Sequence, residues 1–106
     1  MNKLTVLYTE PTNPEGFESH YERHHMPLVR AWPHIRAIRM SRFSGDMEGN
    51  PPPVSLMVEI LFDDEESLRR ALRSEPGVSL ARDFSEMSRK FNVEARLLMG
   101  TEEEIA

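Results

Sequence analysis

Residues 54–62 of the chain read VSLMVEILF, and this stretch is the clearest β-strand of the sequence. Its even-numbered residues are all apolar and would share one face of the strand. Its odd-numbered residues form the other face, where Met57 and Leu61 stand beside Ser55 and Glu59. The acidic run at residues 63–66 is typical of a helix N-terminus, because the helix dipole favours negative charge there. The stretch therefore predicts a strand with two apolar faces that leads directly into a helix.

The segments on either side of this strand predict the rest of the architecture. In chain order, the predicted elements are a strand at 3–8, a helix from 13 to about 31, strands at 35–43 and 54–62, a helix interrupted at 74–77 and ending near 90, and a strand at 91–99. Pro27 lies inside the first helix and is expected to kink or split it. The order predicts one α+β domain over residues 1–106, with a ferredoxin-like βαββαβ topology. The sheet would be antiparallel, with both helices on one face.

The second apolar face of the third strand predicts a partner. Helices on one side of the sheet leave Met57 and Leu61 uncovered on the other. Two copies that pair their sheets would cover both faces at once. The sequence therefore predicts a homodimer joined through the sheet face.

Composition narrows the class of protein. The net charge is −5 and the chain has no cysteine. A net acidic chain does not favour nucleic acid or an anionic membrane as a partner, since phosphate binding needs a basic face. No apolar run is long enough to span a bilayer, and no signal-peptide pattern is present at the N-terminus. The lack of cysteine fits a reducing compartment, so a cytoplasmic location is expected.

Three of the four histidines lie on the first predicted helix, at residues 20, 24 and 25. We place the residues around the helix axis at about 100° per residue, with Phe17 at 0°. An apolar stripe that includes Tyr21 and Trp32 is then centred near 40°. His25 falls about 40° from that centre, inside the stripe, and His24 about 60° from it. His20 flanks the stripe at about 100°. We therefore expect His25 to face the interior, with His24 near its margin.

The chemistry of these histidines has several readings. His20 and His24 are one turn apart and could share a metal ion, but no third ligand is evident, so we predict no metal site. His25 is either a core-edge histidine with a polar partner or a proton carrier facing a pocket. Burial would favour its neutral form, which suits a base. No glycine-rich nucleotide fingerprint and no nucleophilic serine pattern are present.

The sequence around these histidines resembles the EthD family, which is named for a protein linked to ethyl tert-butyl ether degradation. The motif is His20-Tyr21, three residues, His25, one residue, then Pro27-Leu28. Other similar segments are the strand at 3–8, Pro52-Pro53 before the strand ending at 59–63, and residues 74–77 followed by Arg82-Asp83-Phe84. Together these segments cover roughly residues 3 to 100. The chain departs from the family where Pro33-His34 replaces a common Pro-Gly and where Ser74-Glu75-Pro76 inverts the usual order.

The resemblance implies a dimeric α+β barrel with a small ligand between helices and sheet. Members are often described as EthD-type reductases, which suggests an oxidoreductase in catabolism. The wider superfamily includes lactone isomerases, cofactor-free oxygenases, haem-degrading enzymes and polyketide dehydratases. By this resemblance His25 is the motif histidine. Haem binding through His25 is a further possibility.

These arguments lead to one hypothesis with one main alternative. The protein is expected to act without a cofactor on a hydrophobic cyclic or aromatic metabolite, with His25 as the catalytic proton carrier. Residues expected to bind or position the substrate are Tyr21, His20, His24, Trp32 and Asp83. The alternative is an accessory protein that carries a small ligand for a partner enzyme. Glu59 is expected either to pair with Arg39 or Arg96 or to act as an acid beside His25.

Overall fold

The computed structural model describes all 106 residues and has the predicted order of strands and helices. The elements are β1 (Asn2–Tyr8), α1 (Pro14–His20), a π-helical turn (Tyr21–His25), α2 (Met26–Arg30), β2 (Ile35–Arg42), β3 (Leu56–Phe62), α3 (Glu65–Arg73), α4 (Glu75–Lys90) and β4 (Ala95–Thr101). The strands form one sheet in the order β2-β3-β1-β4. All three strand pairs are antiparallel. The ferredoxin-like α+β fold is therefore confirmed.

The core lies between one face of the sheet and the helices. On this core face Leu4 pairs with Ile60 and Val6 pairs with Val58, and all four are buried. Tyr8 continues the row at the end of β1 and is 1% exposed. The period-two alternation of both central strands is thus what builds the floor of the core.

The helices begin where capping residues satisfy free backbone N–H groups. The Asn13 side chain accepts a hydrogen bond from the Gly16 amide at 3.0 Å. The Asp64 side chain accepts one from the Ser67 amide at 2.8 Å. Ser74 caps α4 in the same way, so the inverted Ser-Glu-Pro order still starts a helix, with its proline in the first turn.

The first helix is interrupted next to Pro27 and ends at Arg30, close to the expected end near Ala31. The interruption is a π-helical turn just before the proline, in which the Met26 amide donates to the Tyr21 carbonyl five residues earlier. Proline cannot make the ordinary backbone bond of an α-helix, and a single π turn accommodates that loss.

Several predicted ends are wrong by a few residues. β4 spans Ala95–Thr101 rather than 91–99, because Phe91 closes α4 and packs its ring 5.9 Å from that of Phe17. β3 begins at Leu56 rather than Val54, and β2 ends at Arg42 rather than Phe43. The acidic tail follows β4, and its first carboxylate, Glu102, accepts a hydrogen bond from Arg39 at 2.8 Å.

His34 explains one departure from the family pattern. Its φ angle is 68°, in the left-handed region that favours glycine. The resemblance noted from the sequence implies a glycine at this position. The histidine is exposed, so its side chain gains little packing in return for the backbone conformation.

The face of the sheet away from the helices carries both apolar and charged side chains. Glu59 lies on this outer face and binds Lys3 at 2.6 Å. Glu102 reaches the same lysine at 3.7 Å and also pairs with Arg39. Leu98, opposite Thr5 on this face, is 53% exposed. The expectation that Leu61 is uncovered here is wrong, because Leu61 is fully buried. The homodimer through this face stays a prediction. No helix of the protein is long and apolar enough to cross a membrane.

Candidate functional site

A cavity of about 130 Å³ lies between the helices and the core face of the sheet. Thirteen of its fifteen lining residues are hydrophobic, and His25 is the one that can gain a charge near neutral pH. The cavity wall includes Leu72, Ala81 and Leu97, which are exposed and so mark its mouth. An uncharged ligand is what such a mouth and wall would admit.

Aromatic rings form much of the cavity wall. The rings of Tyr8 and Tyr21 meet edge to face, with centroids 5.9 Å apart. Phe84 lies 6.0 Å from Tyr8. Trp32 is held in place because its indole N–H donates to the Ala71 carbonyl at the end of α3. These contacts fix the shape of the wall, since each ring has a partner.

His25 is the polar group at the cavity wall and is almost buried, with 5% of its side chain exposed. Its Nδ1 atom lies 2.8 Å from Oδ2 of Asp83. A carboxylate only accepts hydrogen bonds, so the proton of neutral His25 sits on Nδ1 and Nε2 keeps a free lone pair. Burial lowers the pKa of His25, although Asp83 opposes that shift. The result is a neutral imidazole with the form of a general base.

The two tyrosines of the cavity are neutral hydrogen-bond donors. Burial raises the pKa of Tyr21 to about 12, against a smaller opposing effect of the Tyr8 hydroxyl. Burial also raises the pKa of Tyr8 well above its usual value, with a further contribution from Tyr21. Both hydroxyl groups therefore keep their protons at any physiological pH. They can donate to an oxygen that gains negative charge.

Asp83 is shared by two histidines. Besides His25, it contacts His20, whose Nε2 lies 3.0 Å from Oδ1 and 3.3 Å from Oδ2. The carboxylate is 14% exposed and His20 is 19% exposed. The chain has no group of three His, Cys, Asp or Glu side chains arranged to hold a metal ion. The shared carboxylate therefore orients both imidazoles.

Apart from His24, which is described below, the structure separates the predicted site residues into two sets. Tyr21, Trp32 and His25 line the cavity. Asp83 and His20 lie behind His25, outside the cavity lining. These positions agree with a site at His25, although no role of any residue is thereby tested.

The predicted position of His24 is wrong. It was expected near the interior margin, but it is exposed and its ring lies 5.0 Å from that of His20. A π turn advances fewer degrees per residue than the ~100° of an α-helix. Across Tyr21–His25 this moves His24 outward and brings His25 closer to the centre of the apolar stripe.

Tyr8 is the site residue that sequence reasoning missed. The sequence placed it at the end of the strand at 3–8, without a role at the ligand site. The available signal was a tyrosine at the end of a strand with an apolar face, since a buried hydroxyl usually has a polar neighbour. Its neighbour Tyr21 lies on the motif helix, in the other layer of the fold.

The structure settles the position of Glu59. It lies on the opposite face of the sheet from His25, so it is not an acid for this cavity. It pairs instead with a basic group, Lys3, which is the other of the two expectations from the sequence.

Comparison with known proteins identifies the family. The family model described as EthD domain matches residues 9–88, from the end of β1 to near the end of α4. The chain belongs to the EthD family. An uncharacterized 11.0 kDa protein in the thcB-thcC intergenic region of Rhodococcus erythropolis is 27% identical over 85 residues, which are 80% of this chain and 82% of that protein.

Solved structures of similar proteins support this membership. An EthD family protein from Bacillus halodurans is 33% identical, with a TM-score of 0.88, over 97% of this chain and 99% of that chain. SnoaB, a cofactor-independent oxygenase from Streptomyces nogalater, is 16% identical with a TM-score of 0.68, over 98% of this chain and 94% of its own. The likeness to SnoaB shows a shared fold.

Proposed function

We propose that the protein is a small enzyme that moves a proton on an uncharged ring compound, with His25 as the base and without a bound cofactor. The observation that carries this proposal is the contact of His25 Nδ1 with Asp83 at 2.8 Å in an otherwise apolar cavity. That contact directs the free Nε2 away from the carboxylate. A structural histidine would need no enclosed space beside it.

Cavity size and chemistry suggest the substrate class. A volume of about 130 Å³ accommodates one six-membered ring with small substituents. The apolar wall favours an uncharged ligand, and the tyrosine hydroxyls favour one with a carbonyl or hydroxyl oxygen. Cyclic enones, lactones and phenols combine these features.

A proton shift in such a ring balances without any other reactant. Nε2 of His25 takes a proton from the carbon next to the carbonyl, and the electrons of that C–H bond move onto the oxygen. A tyrosine hydroxyl stabilises the oxygen by hydrogen bonding. The imidazolium then returns the same proton to another carbon of the ring, which yields an isomer. Loss of a neighbouring hydroxyl as water would yield a dehydrated ring instead.

The test compares ligand binding and turnover in the wild type and two histidine variants. Small phenols, quinones and lactones are screened by thermal shift, and compounds that bind are assayed for conversion. We expect His25→Ala to abolish conversion while the protein still melts cooperatively. His24→Ala is the matched control, because His24 is exposed on the same turn. This variant should convert the bound compound at the wild-type rate. Normal conversion by His25→Ala would rule out the proposed base.

Binding without conversion would favour the accessory role. In that case the same cavity would carry a ring compound for a partner enzyme, and His25 would only hydrogen-bond it. The two roles differ in one measurement, the composition of the ligand pool after prolonged incubation with the protein.

We also infer that the protein works as a homodimer joined by the outer sheet face. Leu98 on that face is half exposed, and the ion pairs around Lys3 and Glu59 lie beside it. A second copy would cover this apolar surface. A cytoplasmic location fits the lack of cysteine and stays a prediction.

A further inference from the structure

One carboxylate serves two imidazoles in this site, and only one of them faces the cavity. Asp83 contacts His25 through Oδ2 at 2.8 Å and His20 through Oδ1 at 3.0 Å. His20 does not line the cavity, so it cannot touch a ligand there. The proposed reaction uses His25 and Asp83 and gives His20 no task.

The two histidines differ in their access to water. His20 is 19% exposed, whereas His25 is 5% exposed. Water stabilises a charged imidazole, so burial penalises a proton on His25 more than a proton on His20. Both compete for the same negative charge. His20 is therefore the better placed of the two rings to hold a positive charge beside Asp83.

We propose that His20 is a positioning residue that accepts the first proton at the shared carboxylate and thereby keeps His25 uncharged and able to act as a base. Once His20 is charged, a second charge on His25 would be repelled by it and would find Asp83 already paired. The consequence for catalysis rests on the proposed function. The coupling between the two histidines does not.

The surroundings contain few other groups that could produce the same effect. Tyr21 stacks on His25 with ring centroids 5.0 Å apart, and it is neutral. Tyr8, on β1, is neutral as well. The remaining cavity residues, from β1, α2 and the turn after it, β3, α3, α4 and β4, carry no charge.

Groups beyond this shell are paired or separated from it. Glu18 and Arg42, which lie beyond Tyr21, pair with each other at 3.1 Å. On the outer side of His20 lie His24, with ring centroids 5.0 Å apart, and Phe91, with Lys90 over its ring. His24 is thus the histidine that borders His20 on its outer side.

Nuclear magnetic resonance titration of the histidine rings tests the proposal without any ligand. The full chain is labelled with ¹³C and ¹⁵N, and the ring signal of His25 is followed against pH in the wild type, His20→Gln and His24→Gln. Glutamine keeps a donor for Asp83 but does not titrate. We expect His20→Gln to raise the pKa of His25 by roughly 0.5 unit or more. His24→Gln should leave it within about 0.2 unit of the wild type.

The wild type alone supplies a second reading in case His20→Gln does not fold. The His25 signal should respond in two steps, a small one when His20 takes its proton and a large one when His25 does. In Asp83→Asn the His25 signal should no longer follow this two-step pattern, because the negative charge that both rings share is lost. A single-step curve in the wild type, or an unchanged His25 pKa in folded His20→Gln, would overturn the proposal.

Activity then connects this coupling to the proposed function. If a convertible ring compound is found, the acid limb of kcat/KM should move to higher pH in His20→Gln by the same shift as the His25 pKa. If no compound is converted, the proposed enzymatic function is contradicted, whereas the coupling between the two histidines is not. If the enzyme is active but the two histidines are not coupled, only the positioning role of His20 is contradicted.

Discussion

At the scale of single residues, His25 and His34 are the two histidines whose positions have a cost. His25 is buried in a cavity wall where its charged form is disfavoured, and Asp83 compensates only in part. His34 adopts a left-handed backbone conformation at the surface. Both costs have consequences that can be measured as stability.

The pH dependence of stability should reveal the burial of His25. Its folded pKa lies below the ordinary value of 6.5, so the unfolded chain binds more protons between the two values. The free energy of unfolding should therefore fall as the pH drops below about 6.5, by up to about 1.4 kcal/mol for each unit of lowered pKa, and level off below the folded pKa. Urea unfolding from pH 7.5 to 4.5 measures this.

A His25→Asn variant provides the comparison. In this variant the free energy of unfolding should no longer fall with pH between 6.5 and the folded pKa of His25. The carboxylates should still lower the free energy of unfolding at more acidic pH. An identical slope in both proteins would mean that His25 is solvated rather than buried.

Replacement of His34 by glycine should stabilise the protein. The φ of 68° costs a non-glycine residue about 1 kcal/mol, and the exposed imidazole forms no hydrogen bond that would be lost. We expect His34→Gly to raise the free energy of unfolding by about 0.5–1 kcal/mol. Asn92→Gly is the matched control, because asparagine tolerates the similar φ of 52° and should gain less. A destabilised His34→Gly would show that the side chain contributes more than the backbone costs.

At the scale of elements, the junction of α3 and α4 supports the cavity wall. Ser74 ends one helix and starts the next, since its hydroxyl donates to the Ala71 carbonyl at 2.6 Å and accepts from the Gly77 amide at 3.2 Å. The same carbonyl receives the indole N–H of Trp32. Gly77 has no space for a side chain here, because an added Cβ would meet the Leu72 carbonyl oxygen at 2.8 Å.

Loss of the Ser74 hydroxyl should therefore affect both stability and the site. We expect Ser74→Ala to lower the free energy of unfolding by about 1–2 kcal/mol, as for other lost helix caps. Trp32 fluorescence should change as well, since its partner carbonyl loses a second donor. Ser85→Ala, at an exposed position within α4, should have little effect or a slightly stabilising one. Equal stability of the two variants would contradict the capping role.

At the scale of the whole molecule, the fold covers the outer face of the sheet only in part, since Leu61 is buried there while Leu98 is exposed. The helices pack on the core face, whereas Leu98 on the other face is 53% exposed. The charged groups of that face are linked by Glu102, which contacts both Lys3 and Arg39. A surface with both apolar and charged groups suits a second copy of the chain, because in a two-fold dimer the same surface of each copy meets that of the other.

The homodimer can be tested by light scattering at micromolar concentration. We expect a mass of about twice the chain mass of 12.3 kDa. Leu98→Asp should shift the mass toward one chain, because a charge on the outer face would have to be buried. Val78→Asp is the matched control, since Val78 is equally exposed but lies on α4. A wild-type mass near 12 kDa would contradict the dimer.

The sequence by itself determined the architecture. Alternation in the strand at 54–62 showed a core face and an outer face, and capping residues such as Asn13 and Asp64 marked helix starts. These features are local, because backbone geometry and burial patterns repeat over a few residues. The histidine motif likewise indicated the family from nearby residues alone.

Only the tertiary structure decided the composition of the site. Asp83 meets His25 across 58 positions of the chain, and Tyr8 meets Tyr21 from a different layer. The sequence named Asp83 as a candidate but did not show that it would contact two histidines at once, and it missed Tyr8. The π turn also moved His24 outward, which a uniform helix angle could not foresee. Pairings between distant elements depend on how helices and sheet pack together, and no periodicity within one element encodes that packing.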